Sequence, residues 1–203
     1  MMRTLVIDCA TEACSVALLE DGAAVGGEFR VLGRGHAEQL VPMIAALPGK
    51  GKALRIAVAV GPGSFTGVRV GLAAARALAF AWGAELIGYP TLDLIAAMAR
   101  HRRGDQPVTA AMTGGHGEWF VQTFAADGTP MGALASLPPQ AAAEQSAALV
   151  AGTQAEALVG LRGSGEALAL LPDARDFALL HQQHSNPIPS RFMAARPMRN
   201  CRR

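Results

Sequence analysis

Gly61-Pro62-Gly63-Ser64-Phe65-Thr66-Gly67 stands between an apolar run, Leu54 to Val60, and a helical pattern rich in small residues that ends at Trp82. Gly61-Pro62-Gly63 cannot extend a strand, because Pro62 has a fixed φ and no N–H to give. Ser64 or Thr66 is placed to cap the helix that follows. A loop of this kind brings backbone N–H groups and the positive end of a helix dipole to one point, which suits an anion. Gly61, Gly63, Ser64, Thr66 and Arg69 are therefore the candidate contacts for an anion or nucleotide. The run is not a P-loop, since no Gly-Lys-Ser/Thr ends it, and its glycines miss the G-x-G-x-x-G dinucleotide spacing. A second reading, a connecting turn that holds no ligand, stands beside the first.

The remaining chemistry-bearing residues are scattered. Asp8 closes the first apolar run, at the strand end where α/β sheets place ligands. The run continues Cys9-Ala10-Thr11, without the glycine that would let backbone approach a phosphate. The expected role for Asp8 is structural, accepting hydrogen bonds from the turn at Thr11 and Glu12. Cys9, Cys14 and Cys201 show neither C-x-x-C spacing nor histidine partners, so no metal site is expected. Their odd number argues against a disulfide framework and fits a reducing cytoplasm. His181 and His184 have the i, i+3 spacing of helical metal ligands but no third ligand nearby. His36 is expected to cap or pack at the first helix. Thr113-Gly114-Gly115-His116-Gly117 reads as a tight hairpin turn. Nothing supplies a nucleophile–base pair, so no catalytic residue is expected.

Composition narrows the class. Of 203 residues, 51% are hydrophobic and 17% charged, a globular balance with room for one large unit or two small ones. Aromatics are only 5%, so the cores must be built from small side chains at close backbone approach. A net charge of +2 does not predict nucleic-acid binding by the whole surface. Positive charge gathers at Arg191, Arg196, Arg199, Arg202 and Arg203, a solvated tail or a contact for nucleic-acid phosphate. Asp8 and Glu12 interrupt any signal-peptide core, and Arg76, Glu85 and Asp93 break the longest apolar stretch. A cytoplasmic protein without a membrane segment is the expectation.

The elements that must carry these residues follow from periodicity. Thr4–Asp8, Cys14–Glu20 and Ala23–Arg30 read as strands, the last two joined by an Asp21-Gly22 turn. Leu40, Met43, Ile44 and Leu47 give His36–Leu47 a helical stripe, with Pro42 expected to kink it or mark its first turn. Leu54–Val60 suits a buried strand, followed by a helix at Thr66–Trp82, a strand at Glu85–Gly88 and a helix at Thr91–His101. A second, similar series then starts. It has strands at Val108–Thr113, Glu118–Phe124 and Met131–Leu137, a helix at Pro139–Val150 and a short strand at Ala157–Leu161. Regular patterning thins after Pro172. The order predicts an α/β fold of the ribonuclease H-like kind (actin, sugar-kinase and Hsp70 superfamily), with tandem mixed sheets, flanking helices and a reduced second unit. The expected units are residues 1–103 and a smaller, divergent 104–203.

Three stretches carry a family resemblance. GPGSFTGVRVGL, from Gly61 to Leu72, closely resembles the hallmark of the TsaB family, accessory proteins of bacterial tRNA threonylcarbamoyladenosine synthesis. Ile7 to Leu18 resembles that family's opening strand, turn and strand, and His36 to Met43 the start of its first helix. The likeness is strong as far as Ile95 and poor beyond it. Where the family shows Asp-Ala-Arg before a Gly-Glu strand, this chain keeps Gly117 and Glu118 but has Thr113 and Gly115 for the charges. The ending Arg196-Pro197-Met198-Arg199-Asn200 only faintly resembles the family's close.

The resemblance implies a non-catalytic partner of TsaD, the metal- and nucleotide-using transferase that modifies the adenosine beside the anticodon. TsaE, an ATPase, joins that assembly, and tRNA is met through the complex. It implies no cofactor beyond a weak nucleotide contact at the complex interface. It places the partner interface on the first two helices, for which the candidate stripes are Leu40, Met43, Ile44 and Leu47, and Val68, Gly71, Leu72, Ala75 and Leu78. The same helices can self-associate into a homodimer. The alternative is an independent ATP-dependent small-molecule kinase or a peptidase-like hydrolase of the same superfamily. It would use Asp8 and Thr11 with the Thr113–Gly117 turn.

Overall fold

The computed structural model describes residues 1–183. The basic tail, Cys201, the Arg196–Asn200 ending and the His181/His184 pair lie outside the described residues and side chains.

Two five-stranded sheets form the frame. The first contains β1 (Arg3–Asp8), β2 (Ala13–Glu20), β3 (Ala23–Val31), β4 (Arg55–Ala59) and β5 (Glu85–Tyr89), in the order β3-β2-β1-β4-β5. β1, β2 and β3 are antiparallel, while β4 and β5 continue from β1 in parallel. Asp21 and Gly22 both have positive φ, as the two-residue hairpin between β2 and β3 requires. The helices α1 (His36–Ala46), α2 (Phe65–Trp82) and α3 (Thr91–Arg103) follow the strands as crossovers.

Alternation along the strands assigns the two faces of this sheet. Leu5 and Ile7 of β1, Val16 and Leu18 of β2, and Ile56 and Val58 of β4 pack under α1 and α2. Val6, Ala17, Leu19, Ala57 and Ala59 look the other way, onto α3. Each such aliphatic burial contributes about 1.5–3 kcal/mol, so a one-residue slip would forfeit a whole face. Pro42 is the seventh residue of α1 and neither breaks the helix nor starts it. It lies on the exposed side, as does Glu38, whose carbonyl loses its usual partner and is free for water.

α3 is the helix that is buried nearly all round, from Thr91 to Arg100. Leu92, Leu94, Ile95, Ala96, Ala97, Met98 and Ala99 are all buried. On its far side lies the second sheet, β6 (Val108–Thr113), β7 (Trp119–Phe124), β8 (Ala135–Leu137), β9 (Leu149–Ala151) and β10 (Glu166–Leu168), in the order β10-β9-β6-β7-β8. Val108, Ala110 and Met112 of β6 meet α3, while Ala111 faces α4 (Pro139–Glu144) and α5 (Ala155–Arg162).

The second half departs from the sequence reading more widely: the strand expected over Met131–Leu137 is only Ala135–Leu137, and β10 answers to no expected element. The helix expected over Pro139–Val150 stops at Glu144, and Leu149–Ala151 is a strand. Ala157–Leu161, expected as a strand, lies within α5, because three strand-like apolar residues cannot outweigh a helical seat against α4. Beyond Pro172 the chain is regular again, with a helical turn at Ala174–Asp176 and α6 (Ala178–Gln183). This segment crosses back onto the first sheet. The Ser15 hydroxyl accepts from the Ala174 N–H at 3.0 Å, and Phe177 lies 5.1 Å from the Tyr89 ring.

Candidate functional site

The glycine-rich loop is seated on the turn that follows β1. The Ser64 N–H donates to the Ala10 carbonyl at 2.7 Å, and the Ser64 hydroxyl caps α2 by accepting from the Gly67 N–H at 3.2 Å. Thr66 is exposed and takes no part in the cap. A Cβ on Gly63 would overlap the Ala10 carbonyl oxygen, and one on Gly67 the Cys9 carbonyl oxygen. The loop needs these two glycines to lie against its neighbouring backbone. The nearby cation, Arg69, stacks on the Phe65 ring at 3.4 Å from its centroid.

The contrast between two glycines of α2 gives a test of this seating. Gly67→Ala is expected to cost about 3 kcal/mol, because the obstacle is backbone that cannot rotate away. At Gly71 an added Cβ meets only ordinary contacts with Cys9 and Ile7. Gly71→Ala should therefore fall within about 1 kcal/mol of the parent, on the stabilising side, since alanine is the better helix former. Urea unfolding of the two variants decides it. Equal effects would mean that the loop does not rest on Cys9.

Asp8 is fully buried. Its Oδ1 accepts from the Ala10 N–H at 2.9 Å, and its Oδ2 accepts from the Tyr89 hydroxyl at 2.9 Å. The expected bonds from Thr11 and Glu12 are not the ones formed. The chain turns sooner, so the first N–H within reach is that of Ala10, and Tyr89 arrives from β5. Burial pushes the Asp8 carboxyl up to about 7, against the lowering effect of those two hydrogen bonds. Burial likewise holds the Tyr89 phenol well above its usual range. Phe177 closes over the tyrosine. The carboxylate at this strand end is thus enclosed in protein.

His36 is buried at the start of α1, its Nε2 2.9 Å from the Thr11 carbonyl and 3.2 Å from that of Ala13. With two carbonyls as partners, Nε2 must carry the proton, so the ring pins α1 to the turn after β1. Thr113–Gly117 forms a closed hairpin end, with Gly114 N–H to Glu118 C=O at 2.8 Å and Glu118 N–H to Gly115 C=O at 3.0 Å. Among the described residues no three histidine, cysteine, aspartate or glutamate side chains gather where a metal could be shared.

The helix stripes require a correction. Leu40, Met43, Ile44 and Leu47 of the first stripe are buried against the chain's own sheet, as are Gly71 and Ala75 of the second. Val68, Leu72 and Leu78 are half-buried at the flank. Periodicity identifies an apolar stripe but not which protein covers it. The surface left open on the same two helices holds Val41, Pro42 and Ala45 of α1, and Phe65, Ala73, Ala77, Phe80 and Ala81 of α2, interspersed with Glu38, Thr66, Arg69 and Arg76. Val41 is 58% exposed, Phe65 71% and Phe80 92%. The legible signal for this face was the near absence of polar residues around α2, where only Thr66, Arg69 and Arg76 interrupt small and apolar side chains. Tyr89 as the partner of Asp8 had no sequence signal.

An antiparallel β3-β2-β1 unit continued by parallel β4 and β5, helices on both faces and a strand-end aspartate define a protein of the ribonuclease H-like, actin-type class. Residues 30–156 match the family model described as TsaD, tRNA N6-adenosine threonylcarbamoyltransferase. The structure of YeaZ from Pseudomonas aeruginosa superposes with a TM-score of 0.76 at 32% identity, covering 90% of this chain and 91% of that one. The ethanolamine utilization protein EutJ of Carboxydothermus hydrogenoformans shares the fold alone, with a TM-score of 0.50 at 12% identity.

The chain belongs to the TsaB/YeaZ family. The tRNA threonylcarbamoyladenosine biosynthesis protein TsaB of Escherichia coli is 40% identical over 131 residues, 62% of this chain and 56% of that protein. That of Haemophilus influenzae is 43% identical over 100 residues, 47% of this chain and 41% of that protein. The matched part thus spans about half the length of these curated relatives.

Proposed function

We propose that this chain is a non-catalytic subunit in tRNA threonylcarbamoyladenosine synthesis, pairing with a TsaD-type transferase. The observation that carries the reading is the exposed side of α1 and α2, where Val41, Phe65 and Phe80 stand open to solvent beside Arg69 and Arg76. Large apolar side chains left exposed on two neighbouring helices suit an interaction site. The family supplies the direction, since relatives of this chain are named for that biosynthesis. In this reading the chain stabilises and orients the transferase, a TsaE-type ATPase joins the assembly, and tRNA is met through the complex. The same face serves self-association when the transferase is absent.

Enclosure of Asp8 supports a non-catalytic role and weighs against the kinase or hydrolase alternative, because a phosphate or metal-bound water would have to displace Tyr89. The loop from Gly61 to Thr66 acts as a structural turn, with at most weak anion contact through Ser64, Thr66 and Arg69. No described helix is long and apolar enough to cross a membrane.

The test is reconstitution. A TsaD-type chain from the same source should co-purify with this one, and transfer to tRNA should depend on both. ATP turnover by this chain alone, abolished by Asp8→Ala, would overturn the reading.

A further inference from the structure

Cys9 and Cys14 sit one step beyond the last paired residues of the β1–β2 ladder, where Asp8 faces Ser15. Continuing the register by one residue sets the two cysteines directly opposite each other. Directly opposed residues of an antiparallel pair have Cα atoms about 4.5–5.5 Å apart, inside the range a disulfide spans. Their Sγ atoms are 3.7 Å apart, and both thiols are free and buried. Bonding needs the sulfurs to close from 3.7 Å to about 2.05 Å. We propose that Cys9 and Cys14 are a redox-active dithiol that closes to an intramolecular disulfide beneath α2. The inference rests on this geometry and not on the proposed function.

The oxidant is a peroxide. One thiol, as its thiolate, attacks a peroxide oxygen, giving a sulfenic acid and releasing hydroxide that takes up the proton as water. The second thiol attacks that sulfur, the S–S bond forms, and a second water leaves. The two thiols lose two protons and two electrons in all, and one hydrogen peroxide becomes two waters. The shared hydrogen bond favours Cys14 as the attacking thiolate, since it lowers the Cys14 thiol and raises that of Cys9. Access is gated, because Gly67 and Gly71 of α2 lie over Cys9. The turn enclosed by the bond, Ala10 to Ala13, is the one that seats the glycine-rich loop through the Ala10 carbonyl.

The experiment uses the full chain carrying Cys201→Ser, treated with hydrogen peroxide under native conditions and then alkylated. Intact mass should fall by two hydrogens with no added oxygen or alkyl group. Proteolysis should give one peptide joining Cys9 to Cys14, and dithiothreitol should restore both thiols. In Cys14→Ser or Cys9→Ser the remaining thiol should instead gain oxygen. Three results would overturn the proposal: oxygen added to one cysteine with the other still alkylatable, disulfide-linked dimers as the main product, or no reaction where the urea-unfolded chain forms the bond readily.

Discussion

Asp8→Asn should make the protein more stable above neutral pH and leave it unchanged in acid. In the folded chain the carboxyl titrates near 7, against about 3.8 in an exposed chain. The folded state therefore binds the proton more tightly, and between those values it holds more protons than the unfolded state. Stability must fall as pH rises through that window. The cost is absent below about pH 4 and complete above about pH 7. A shift of this size corresponds to a loss on the order of 4 kcal/mol.

Asparagine keeps the shape and removes the charge. Its Oδ1 accepts the Ala10 N–H, and its Nδ2 donates to the Tyr89 oxygen. The tyrosine proton then goes to the Ile7 carbonyl, 3.3 Å away. Urea unfolding at pH 4.5 and pH 8 should show the parent losing stability and the variant holding level. The variant should lead by roughly 2–4 kcal/mol at the higher pH. A parent whose stability is flat across that range would show that Asp8 is ionised in the fold and solvated.

The first sheet was legible because each of its signals is local. The short, near-continuous apolar runs of β1 and β2, the Asp21-Gly22 turn and the i, i+3, i+4 set of α1 specify their elements without help from distant residues. The second half was less legible because its strands are short. Three residues of β9 or β10 carry no period, and Leu149–Val150 was absorbed into the preceding helix pattern. α6 was invisible because its apolar residues, Leu179 and Leu180, follow an irregular link and owe their order to packing on α3. At the site, a cap at Ser64 or Thr66 was readable from type and position, but the need for glycine at 63 and 67 comes from the Ala10 and Cys9 carbonyls of a distant turn. The pairing of Asp8 with Tyr89 spans 81 residues and depends on β5 lying beside β4, which no local rule provides. The helix stripes were found but placed on the wrong side of the question. Leu40 and Met43 mark what the chain buries for itself, and a partner surface is what remains after that burial.

That remaining surface sets the largest effect expected on association. Phe80→Glu should abolish transferase binding at concentrations where the parent binds fully, with Kd raised by at least about thirtyfold. Phe80 is 92% exposed on the last turns of α2, so the free subunit loses no core contact when it is replaced. A buried aromatic at an interface centre is commonly worth 2 kcal/mol or more, and a carboxylate left in an apolar contact adds its own desolvation cost. Val41→Glu on α1 should act in the same direction, since Val41 is exposed on the neighbouring helix. Leu134→Glu, an exposed apolar site on the second half, supplies the control and should bind as the parent does. Ala75→Glu would not serve, because Ala75 is fully buried against the sheet and the change would unfold the chain. Circular dichroism and urea unfolding establish that the variants fold, and calorimetric titration with the transferase gives Kd. Folded Phe80→Glu and Val41→Glu proteins that bind as tightly as the parent would place the interface on another face. Loss of binding in both with Leu134→Glu intact would assign it to the open side of α1 and α2.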